Sequence, residues 1–230
     1  ANRKTGLRAA FLAFLLLAWI GFCPGISPSA ATVRTPTASG QTTYGNSLVT
    51  IDASNSSEGY VMVRYTGRNP KIKVQISKDG VETYTYNLNS SGNYEVFPLS
   101  EGNGSYTIKV FENISGNQYS QAFSQTISVQ LANELSPFLY PNQFCSYTAS
   151  SAAASLADEL TKNSSDELSK VADIYNWVIN NISYDNDLAA TVTSGYLPDV
   201  DTVLAKKKGI CFDYAAVMTS MLRMEDVPTK

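Results

Sequence analysis

The stretch Gly209-Ile210-Cys211-Phe212-Asp213-Tyr214-Ala215-Ala216, followed by an apolar run to Leu222, decides the fold of the second half of the chain. Spacings of four, three and four residues predict one face of a helix, formed by Cys211, Ala215, Met218 and Leu222. Because apolar residues also flank this face, we expect the helix to be buried on several sides. The cysteine therefore lies on the first turn of a predicted buried helix.

A helix start is a favourable place for an ionised thiol. The first N–H groups of a helix lack backbone partners, and the positive end of the helix dipole lies there. Cys211 is therefore predicted to be a nucleophile, with its own backbone N–H as an oxyanion donor. Gly209 is expected to let the backbone turn sharply into the helix without a Cβ clash. The alternative is that Cys211 is only a small buried apolar residue.

This segment resembles the nucleophile segment of the transglutaminase-like superfamily. Several short blocks occur in the order found in that family, which makes the resemblance fairly specific over the last part of the chain. The blocks are Ile174-Tyr175-Asn176-Trp177-Val178, Ile182-Ser183-Tyr184-Asp185, Asp199-Val200-Asp201, Val203-Leu204, Lys206-Lys207-Lys208, the quoted stretch from Gly209, Met221-Leu222-Arg223 and Val227-Pro228-Thr229-Lys230.

The resemblance implies a Cys-His-Asp triad on a papain-like fold, with the histidine and aspartate after the cysteine in the chain. Cys211 would attack a carboxamide carbonyl and form a thioester, the histidine would take the thiol proton, and the aspartate would orient the histidine. The acyl group then passes to an amine, giving a crosslink, or to water, giving hydrolysis, and the resemblance does not choose between them. Extracellular relatives suggest peptide, protein or cell-wall substrates.

The sequence departs from the family at the catalytic base. It contains no histidine, and it stops at Lys230, where the resemblance implies that a strand should begin. We therefore expect residues 151–230 to be the helical N-terminal half of a truncated α+β transglutaminase-like domain, inactive as it stands. The competing hypothesis is a non-catalytic extracellular binding or structural protein.

Other residues in the matching blocks are expected to support the site. Asp213 and Tyr214, with Gly209, match the family motif and are expected to hold the helix start by capping and packing, without doing chemistry. Tyr184 or Trp177 is a candidate second oxyanion donor. Trp177 lies just off the apolar stripe of its predicted helix, which favours packing against a neighbouring element.

Composition narrows the range of partners. The chain has 230 residues and a net charge of −3, and no basic stripe with interleaved aromatic residues indicates nucleic acid. The basic run Lys206-Lys207-Lys208 is typical of a solvated helix end. Without histidine the ligands are too few for a structural zinc site, and Ala190 occupies the glycine place of an EF-hand loop starting at Asp185. We expect no metal and no cofactor, and the oligomeric state stays open.

Residues 1–31 are predicted to be an export signal. A basic segment from Arg3 to Arg8 precedes an apolar run from Ala9 to Phe22, and small residues lead to a predicted cleavage after Ala31. The run is shorter than the ~20 residues of a membrane-spanning helix, and an uncleaved membrane anchor is the alternative. The bulky residue before Cys23 disfavours lipid attachment there. The protein is thus expected to be secreted or at the cell surface, in a bacterium, with the export signal as its membrane contact.

Cleavage at that position leaves two cysteines, Cys145 and Cys211. Outside the cytoplasm the two could form a disulfide, which would remove the nucleophile. The sequence does not say whether their Cα atoms come within bonding range, so both states stay open.

Residues 44–132 are predicted to form an all-β immunoglobulin-like sandwich. A Thr/Ser/Pro/Gly-rich flexible lead-in, residues 32–43, precedes it, and a linker stiffened by prolines, residues 133–150, follows it. About seven short strands with turn signals at roughly ten-residue spacing support this fold. The strands begin near Ser47, Tyr60, Ile72, Val81, Tyr94, Tyr106 and Gln118.

The strand region also predicts local features. Lys78-Asp79-Gly80 is a hairpin turn of the Asp-Gly kind. Tyr84, Tyr86 and Tyr106 are predicted to pack across strands, and the alternative is a sugar-binding platform of exposed aromatic rings.

Helices are predicted in residues 151–230. Amphipathic spacing from Ala153 to Leu160 indicates the first, and Ser164 with Glu167 matches a capping box for the second. The second helix has a predicted buried stripe of Leu168, Val171, Ala172, Tyr175, Val178, Ile179 and Ile182. Asp185-Asn186-Asp187 is interpreted as a turn leaving that helix. Asp199 and Asp201 are predicted turn and N-cap residues of a short helix running to Lys208.

Overall fold

The computed structural model describes residues 33–230. The predicted export signal, residues 1–31, its cleavage position and Cys23 lie outside the described residues. Within residues 33–230, no helix combines the length and the apolar character needed to cross a membrane.

The first half of the described chain is a β-sandwich of two four-stranded antiparallel sheets. One sheet has the order β1-β2-β3-β6 and the other β5-β4-β7-β8. The strands are β1 (Thr43–Gly45), β2 (Val49–Asp52), β3 (Tyr60–Tyr65), β4 (Ile72–Lys78), β5 (Glu82–Leu88), β6 (Glu95–Pro98), β7 (Gly104–Ser115) and β8 (Gln118–Val129). The predicted sandwich is confirmed, with β1 as a strand that the sequence pattern did not indicate.

The alternation of apolar and polar residues explains the pairing of the two central strands. On β4, Ile72, Val74 and Ile76 are buried while the residues between them are partly exposed. Val74 lies opposite Val110 and Ile76 opposite Ile108, so the two strands present one apolar face to the sandwich core. A register slip of one residue would turn every one of these side chains to solvent.

The predicted hairpin turn between β4 and β5 is confirmed. Asp79 and Gly80 both have positive φ, 48° and 75°, and the carbonyl of Lys78 accepts the N–H of Val81 at 3.0 Å. Two successive positive φ values are characteristic of the tight hairpin turn that Asp-Gly favours.

The tyrosines of the sandwich divide into two kinds. Tyr86 and Tyr106 are buried, at 6% and 1% exposure, which confirms their predicted packing role. Tyr84 is 37% exposed, and its hydroxyl donates to Glu101 at 2.7 Å.

The lead-in before the sandwich is held by hydrogen bonds, an ion pair and packing. In the lead-in, the N–H of Gly40 donates to Asp52 at 2.7 Å, Arg34 contacts Asp226 at 3.1 Å, and Val33 packs against the helical core. These contacts differ from the flexible segment that composition predicted. The reason is that backbone donors and one basic side chain find fixed partners that a composition pattern does not reveal.

The second half of the described chain is helical. Its helices are α1 (Ala152–Thr161), α2 (Glu167–Asn181), α3 (Asn186–Thr191), α4 (Val200–Lys206) and α5 (Cys211–Met224), and the short strands β9 (Ser183–Tyr184) and β10 (Lys208–Gly209) form a parallel pair. Helix α5 packs against α1, α2 and α4. The buried residues of α5 pack in one hydrophobic core with residues of the surrounding helices, among them Ile174, Val178 and Val203.

The predicted capping box at the start of α2 is wrong. The N-cap is Asp166, whose carboxylate accepts the N–H of Ser169 at 2.7 Å, while Ser164 donates to Asp173. An aspartate caps a helix as well as a serine does, and Asp166 stands immediately before the first helical residue.

The predicted buried stripe of α2 is also wrong in part. The buried residues are Ile174, Val178 and, just after the helix, Ile182, whereas Leu168, Tyr175 and Ile179 are 77%, 49% and 47% exposed. Val171 and Trp177 pack at the edge of the core, and Ala172 is exposed. The helix contacts its neighbours on one narrow face, and the predicted stripe combined that face with the adjacent one.

Burial along α5 changes from its start to its end. Cys211 and Ala215 are exposed, Met218 is half-buried and Leu222 is buried, so the predicted apolar face is covered only toward its end. From Ser220 onward, every residue of the helix is buried. The predicted burial on several sides therefore holds for the last turns of the helix and fails at the cysteine.

Candidate active site

Cys211 is the first residue of α5 and carries an exposed, free thiol. The preceding Ile210 is the N-cap, with an extended backbone at φ −93° and ψ 176°. Cys145 is also free and is buried, so the alternative of a disulfide between the two is wrong. Burial raises the pKa of the Cys145 thiol, which makes it a poor nucleophile.

Asp213 fixes the backbone that enters the helix. Its side chain is fully buried, one carboxylate oxygen accepts the N–H of Ile210 at 2.8 Å, and the other accepts the hydroxyl of Tyr196 at 2.7 Å. A residue at the third helical position that reaches back to the N-cap N–H satisfies a donor that the helix leaves open. Burial and the bond to Asp213 raise the pKa of Tyr196 to about 12, so the hydroxyl keeps its proton at neutral pH.

Gly209 is required by close packing. A Cβ at this position would lie 2.7 Å from the Cβ of Asp213 and 2.9 Å from one of its carboxylate oxygens. The φ of Gly209 is not positive, so a sharp turn into the helix does not explain why glycine is needed here. The explanation is the close approach of the Asp213 side chain.

Tyr214 and the β9–β10 pair connect the helix start to the end of α2. The Tyr214 hydroxyl donates to the carbonyl of Ile182 at 2.5 Å, and the carbonyl of Gly209 accepts the N–H of Asp185 at 2.9 Å. Gly209 lies opposite Tyr184 in the parallel pair. Tyr184 is 48% exposed and is thus brought beside the segment that leads into Cys211.

Trp177 has a different environment from Tyr184. It is half-buried against the helical core, as its place beside the stripe predicted. Its backbone carbonyl accepts the side-chain amide of Asn181 at 2.9 Å. Of the two candidate second oxyanion donors, Tyr184 is therefore the one that a strand pairing connects to the cysteine segment.

The acidic cluster Asp185-Asn186-Asp187 begins a helix. Asp185 caps α3 by accepting the N–H of Leu188 at 2.9 Å, and Lys208 lies 3.1 Å from Asp185 and 3.4 Å from Asp187. The Leu188 N–H and then Lys208 lower the pKa of Asp185. The interpretation as a turn that leaves α2 is thus replaced by an N-cap. Among residues 33–230, no group of three His, Cys, Asp or Glu side chains could hold a metal ion.

The other predicted cap is confirmed. Asp199 caps α4 by accepting the N–H of Thr202 at 2.9 Å. Asp201 is the second residue of the helix and does not cap it; its carboxylate accepts the N–H of Ala153 at 3.2 Å, which links α4 to the start of α1. The helix ends at Lys206, and Lys207 follows in the left-handed region at φ 51°.

Two aromatic rings contact Phe212, the residue that follows the cysteine. The ring centroid of Phe212 lies 6.0 Å from Phe144 and 6.4 Å from Tyr196. Sequence reasoning missed both partners, because they come from distant segments and no local pattern marks them.

A cleft of about 600 Å³ opens where the sandwich, the connecting segment (residues 133–150) and the loop before α4 meet. Its lining includes Tyr94, Glu95, Asn142, Gln143, Leu197 and Asp199, and no described residue in the lining is basic. Gln143 and Leu197 are the chain neighbours of Phe144 and Tyr196, but neither those two rings nor Cys211 are among the residues that line the cleft.

Residues 154–230 match the family model of the transglutaminase-like superfamily. The matched region contains Cys211 and the residues that fix its helix start, so the resemblance drawn from the sequence is confirmed for this part of the chain. The transglutaminase-like region has no histidine, since the whole sequence contains none.

The other comparisons are less informative about the transglutaminase-like region. No curated protein matches the sequence. A computationally redesigned β-sandwich protein is 18% identical over 40% of this chain and 94% of its own, with a TM-score of 0.29. The fn3 domain of the human collagen alpha-1(XX) chain is 14% identical over 41% and 90%, with a TM-score of 0.31. A β-1,2-glucanase from Parabacteroides distasonis is 8% identical over 74% and 32%, with a TM-score of 0.27.

Proposed function

We propose that the transglutaminase-like region serves thiol-based acyl transfer or amide hydrolysis, with Cys211 as nucleophile. The observation that carries this proposal is the exposed thiol on the first turn of α5, at a helix start held by the buried Asp213. A helix start favours a thiolate, and exposure gives a substrate access to it. Cys145 has neither property.

The reaction divides into two steps. The Cys211 sulfur attacks an amide carbonyl, the carbonyl electron pair moves to oxygen, and the C–N bond then breaks to leave a thioester and an amine that takes up a proton. An incoming amine or water next displaces the sulfur and regenerates the thiolate. The Cys211 N–H, with the Tyr184 hydroxyl as second donor, would stabilise the charged oxygen.

Proton transfer needs a general base, and the histidine that would serve as one is missing from this sequence. The nearby Tyr196 keeps its proton at neutral pH, and both oxygens of Asp213 are occupied. We propose that the base is supplied by residues outside these 230, and that the chain alone acylates slowly and does not turn over.

Peptides, proteins or cell-wall peptides are the proposed substrates. The cleft of about 600 Å³ has the volume of a small-ligand site, and its lining residues Gln143 and Leu197 are the chain neighbours of two rings, Phe144 and Tyr196, that contact Phe212. Whether the acyl group goes to an amine or to water depends on access of water to the thioester.

An activated ester tests the nucleophile without needing a base. In the 230-residue chain, p-nitrophenyl acetate should acetylate Cys211 faster than Cys145, and mass spectrometry of the peptides assigns the modified residue. Cys211→Ser should abolish the fast phase and Cys145→Ser should leave it unchanged. If iodoacetamide alkylates Cys211 at the rate of an unstructured cysteine peptide, the proposed nucleophile is contradicted. If the 230-residue chain alone turns over an amide substrate, the proposed external base is contradicted.

The competing candidate is a non-catalytic binding or structural protein, and the absence of histidine from the sequence favours it. An inert cysteine and an active one differ in their response to an added base. Imidazole should accelerate release of the acetyl group from Cys211 if the site accommodates a base beside the thioester. If imidazole releases the acetyl group from Cys211 at the same rate in the folded and the denatured chain, the result would support a non-catalytic binding or structural protein.

We also propose that the protein acts outside the cytoplasm, at a bacterial cell surface or as a secreted protein. The basic segment before an apolar run in residues 1–31 supports this. N-terminal sequencing of the protein recovered from a bacterial host should begin at Thr32. Recovery of the intact N-terminus from the cytoplasmic fraction would contradict export.

A further inference from the structure

The ring of Phe144 joins the β-sandwich to the helix start that carries Cys211. Its centroid lies 5.7 Å from that of Tyr86 and 6.0 Å from that of Phe212. Tyr86 belongs to the buried sandwich core and lies 5.3 Å from the fully buried Phe97. Because Phe212 follows Cys211 in the first turn of α5, a continuous series of ring contacts runs from the sandwich core to the residue beside the thiol.

The turn that presents Phe144 is fixed by its own hydrogen bonds. Asn142 and Cys145 exchange backbone bonds of 3.3 and 3.2 Å, and the Asn142 side chain accepts the N–H of Phe144 at 2.9 Å. Gln143 donates to the carbonyl of Asn87 on β5 at 3.0 Å, which attaches the turn to the sandwich. The position of the ring is therefore set by the sandwich edge and not by the helix that it contacts.

Phe212 is held from a second direction by the helical part. Its ring lies 6.4 Å from Tyr196, whose hydroxyl donates to Asp213 at 2.7 Å. Phe212 thus contacts one ring anchored on the sandwich and one anchored on the helix start itself. Removing the Phe144 ring would leave only the second of these two ring contacts.

We propose that Phe144 is a positioning residue for Cys211, which makes the β-sandwich part of the catalytic apparatus. By packing against Phe212, it holds the first turn of α5 in the conformation whose N–H groups stabilise the thiolate. This inference rests on the proposed nucleophilic role of Cys211. First turns of helices fray readily, and a frayed turn no longer directs its N–H groups and dipole at the sulfur.

The test compares variants in the 230-residue chain by the pH profile of Cys211 alkylation with iodoacetamide, resolved from Cys145 by peptide mass spectrometry. Phe144→Ala should slow Cys211 alkylation at neutral pH by about two- to fivefold, the range expected for a charge at a helix terminus, and should move the profile to higher pH. Phe144→Tyr, which keeps a ring, should restore the wild-type profile. Ile114→Ala removes an exposed apolar side chain of the sandwich and should change nothing.

Thermal unfolding separates positioning from stability. If Phe144→Ala does not fold, Phe144→Leu, which keeps apolar volume without a ring, replaces it and should show the same shift. A variant that is less stable but keeps the wild-type alkylation profile overturns the inference. If Cys211 of the wild-type chain reacts like a cysteine in a free peptide, the proposed function is overturned as well. If Cys211 reacts faster than that in the wild type and equally fast in Phe144→Ala, only the role of Phe144 is overturned.

Discussion

Asp213 determines how the residues around the cysteine are arranged. A buried carboxylate is costly unless hydrogen bonds compensate its charge, and here each oxygen has one donor. One donor, the N–H of Ile210, belongs to the N-cap of α5, and the other, the hydroxyl of Tyr196, belongs to the loop before α4. The consequence is a backbone with little freedom just before an exposed thiol.

Gly209→Ala tests this arrangement. The added Cβ would lie 2.7 Å from the Cβ of Asp213, so the carboxylate must move away from Ile210. We expect a loss of about 1–3 kcal/mol in the free energy of unfolding, typical of overpacking, in urea titrations. Lys206→Ala, at an exposed nearby position, is the control and should be nearly neutral. Wild-type stability of Gly209→Ala would show that Asp213 does not need its present position.

Tyr196→Phe tests the second bond of Asp213. The ring contact with Phe212 remains, but one buried carboxylate oxygen loses its donor, which should cost about 1–3 kcal/mol in the free energy of unfolding. A double-mutant cycle with Asp213→Asn should give a coupling energy that differs from zero. Strict additivity of the two substitutions would argue that the hydroxyl bond contributes nothing.

At the scale of elements, α2 shows that a helix can have two neighbouring apolar faces of which one is used. Ile174 and Val178 are buried against the other helices, whereas Tyr175 and Ile179 face solvent. Hydrophobic periodicity identifies the helix but does not say which of two adjacent faces meets the core.

Two alanine substitutions on α2 distinguish the faces. Ile174→Ala removes a fully buried side chain and should cost about 2–5 kcal/mol in the free energy of unfolding. Ile179→Ala makes the same chemical change on a side chain that is 47% exposed and should cost less than about 1 kcal/mol. Equal costs from denaturant unfolding would support the stripe that the sequence predicted.

At the scale of the whole molecule, a charged group joins α1, α2 and the end of α5. Glu225 is 5% exposed, one of its oxygens lies 3.1 Å from Lys170, and its other oxygen is buried without a hydrogen-bond partner. Asp158 on α1 is itself exposed, and desolvation by the protein and then Glu225 raise its pKa. A protonated Asp158 can donate to the free oxygen of Glu225, and an ionised one cannot.

The contribution of the Asp158–Glu225 pair to stability should therefore be larger in mild acid than at neutral pH. Since the folded-state pKa of Asp158 is raised, its contribution is complete below the ordinary carboxyl pKa and is lost as pH rises through the raised value. Asp158→Asn keeps a donor at all pH values and should raise Tm at pH 7 while flattening this dependence. Glu159→Gln, which neutralises the neighbouring exposed carboxylate, is the control, and an equal effect of both would contradict the pairing.

Local patterns predicted the features that depend on adjacent residues. Alternation on β4, the Asp79-Gly80 turn and the Asp199 cap follow from nearest neighbours, and so does a helix start at Cys211. Contacts between distant segments were not predictable in this way. Tyr196 and Phe144 meet Phe212 only because the loop before α4 and the connecting segment return to the helix start. The choice of Asp166 over Ser164 as cap depends on a shift of two residues in the helix start, which propensity does not resolve.

The contacts of the lead-in give the molecule a discontinuous organisation. Val33, which precedes every strand of the sandwich, packs into the helical core, and Arg34 pairs with Asp226 just beyond α5. In topological terms, the sandwich is inserted within a helical unit that gathers residues from both sides of it. An expression fragment that starts at residue 133 would therefore lack the contacts that Val33 and Arg34 make with the helical part. Adding residues 33–40 to that fragment, as a separate peptide or through a short tether, should recover stability that the cut removes.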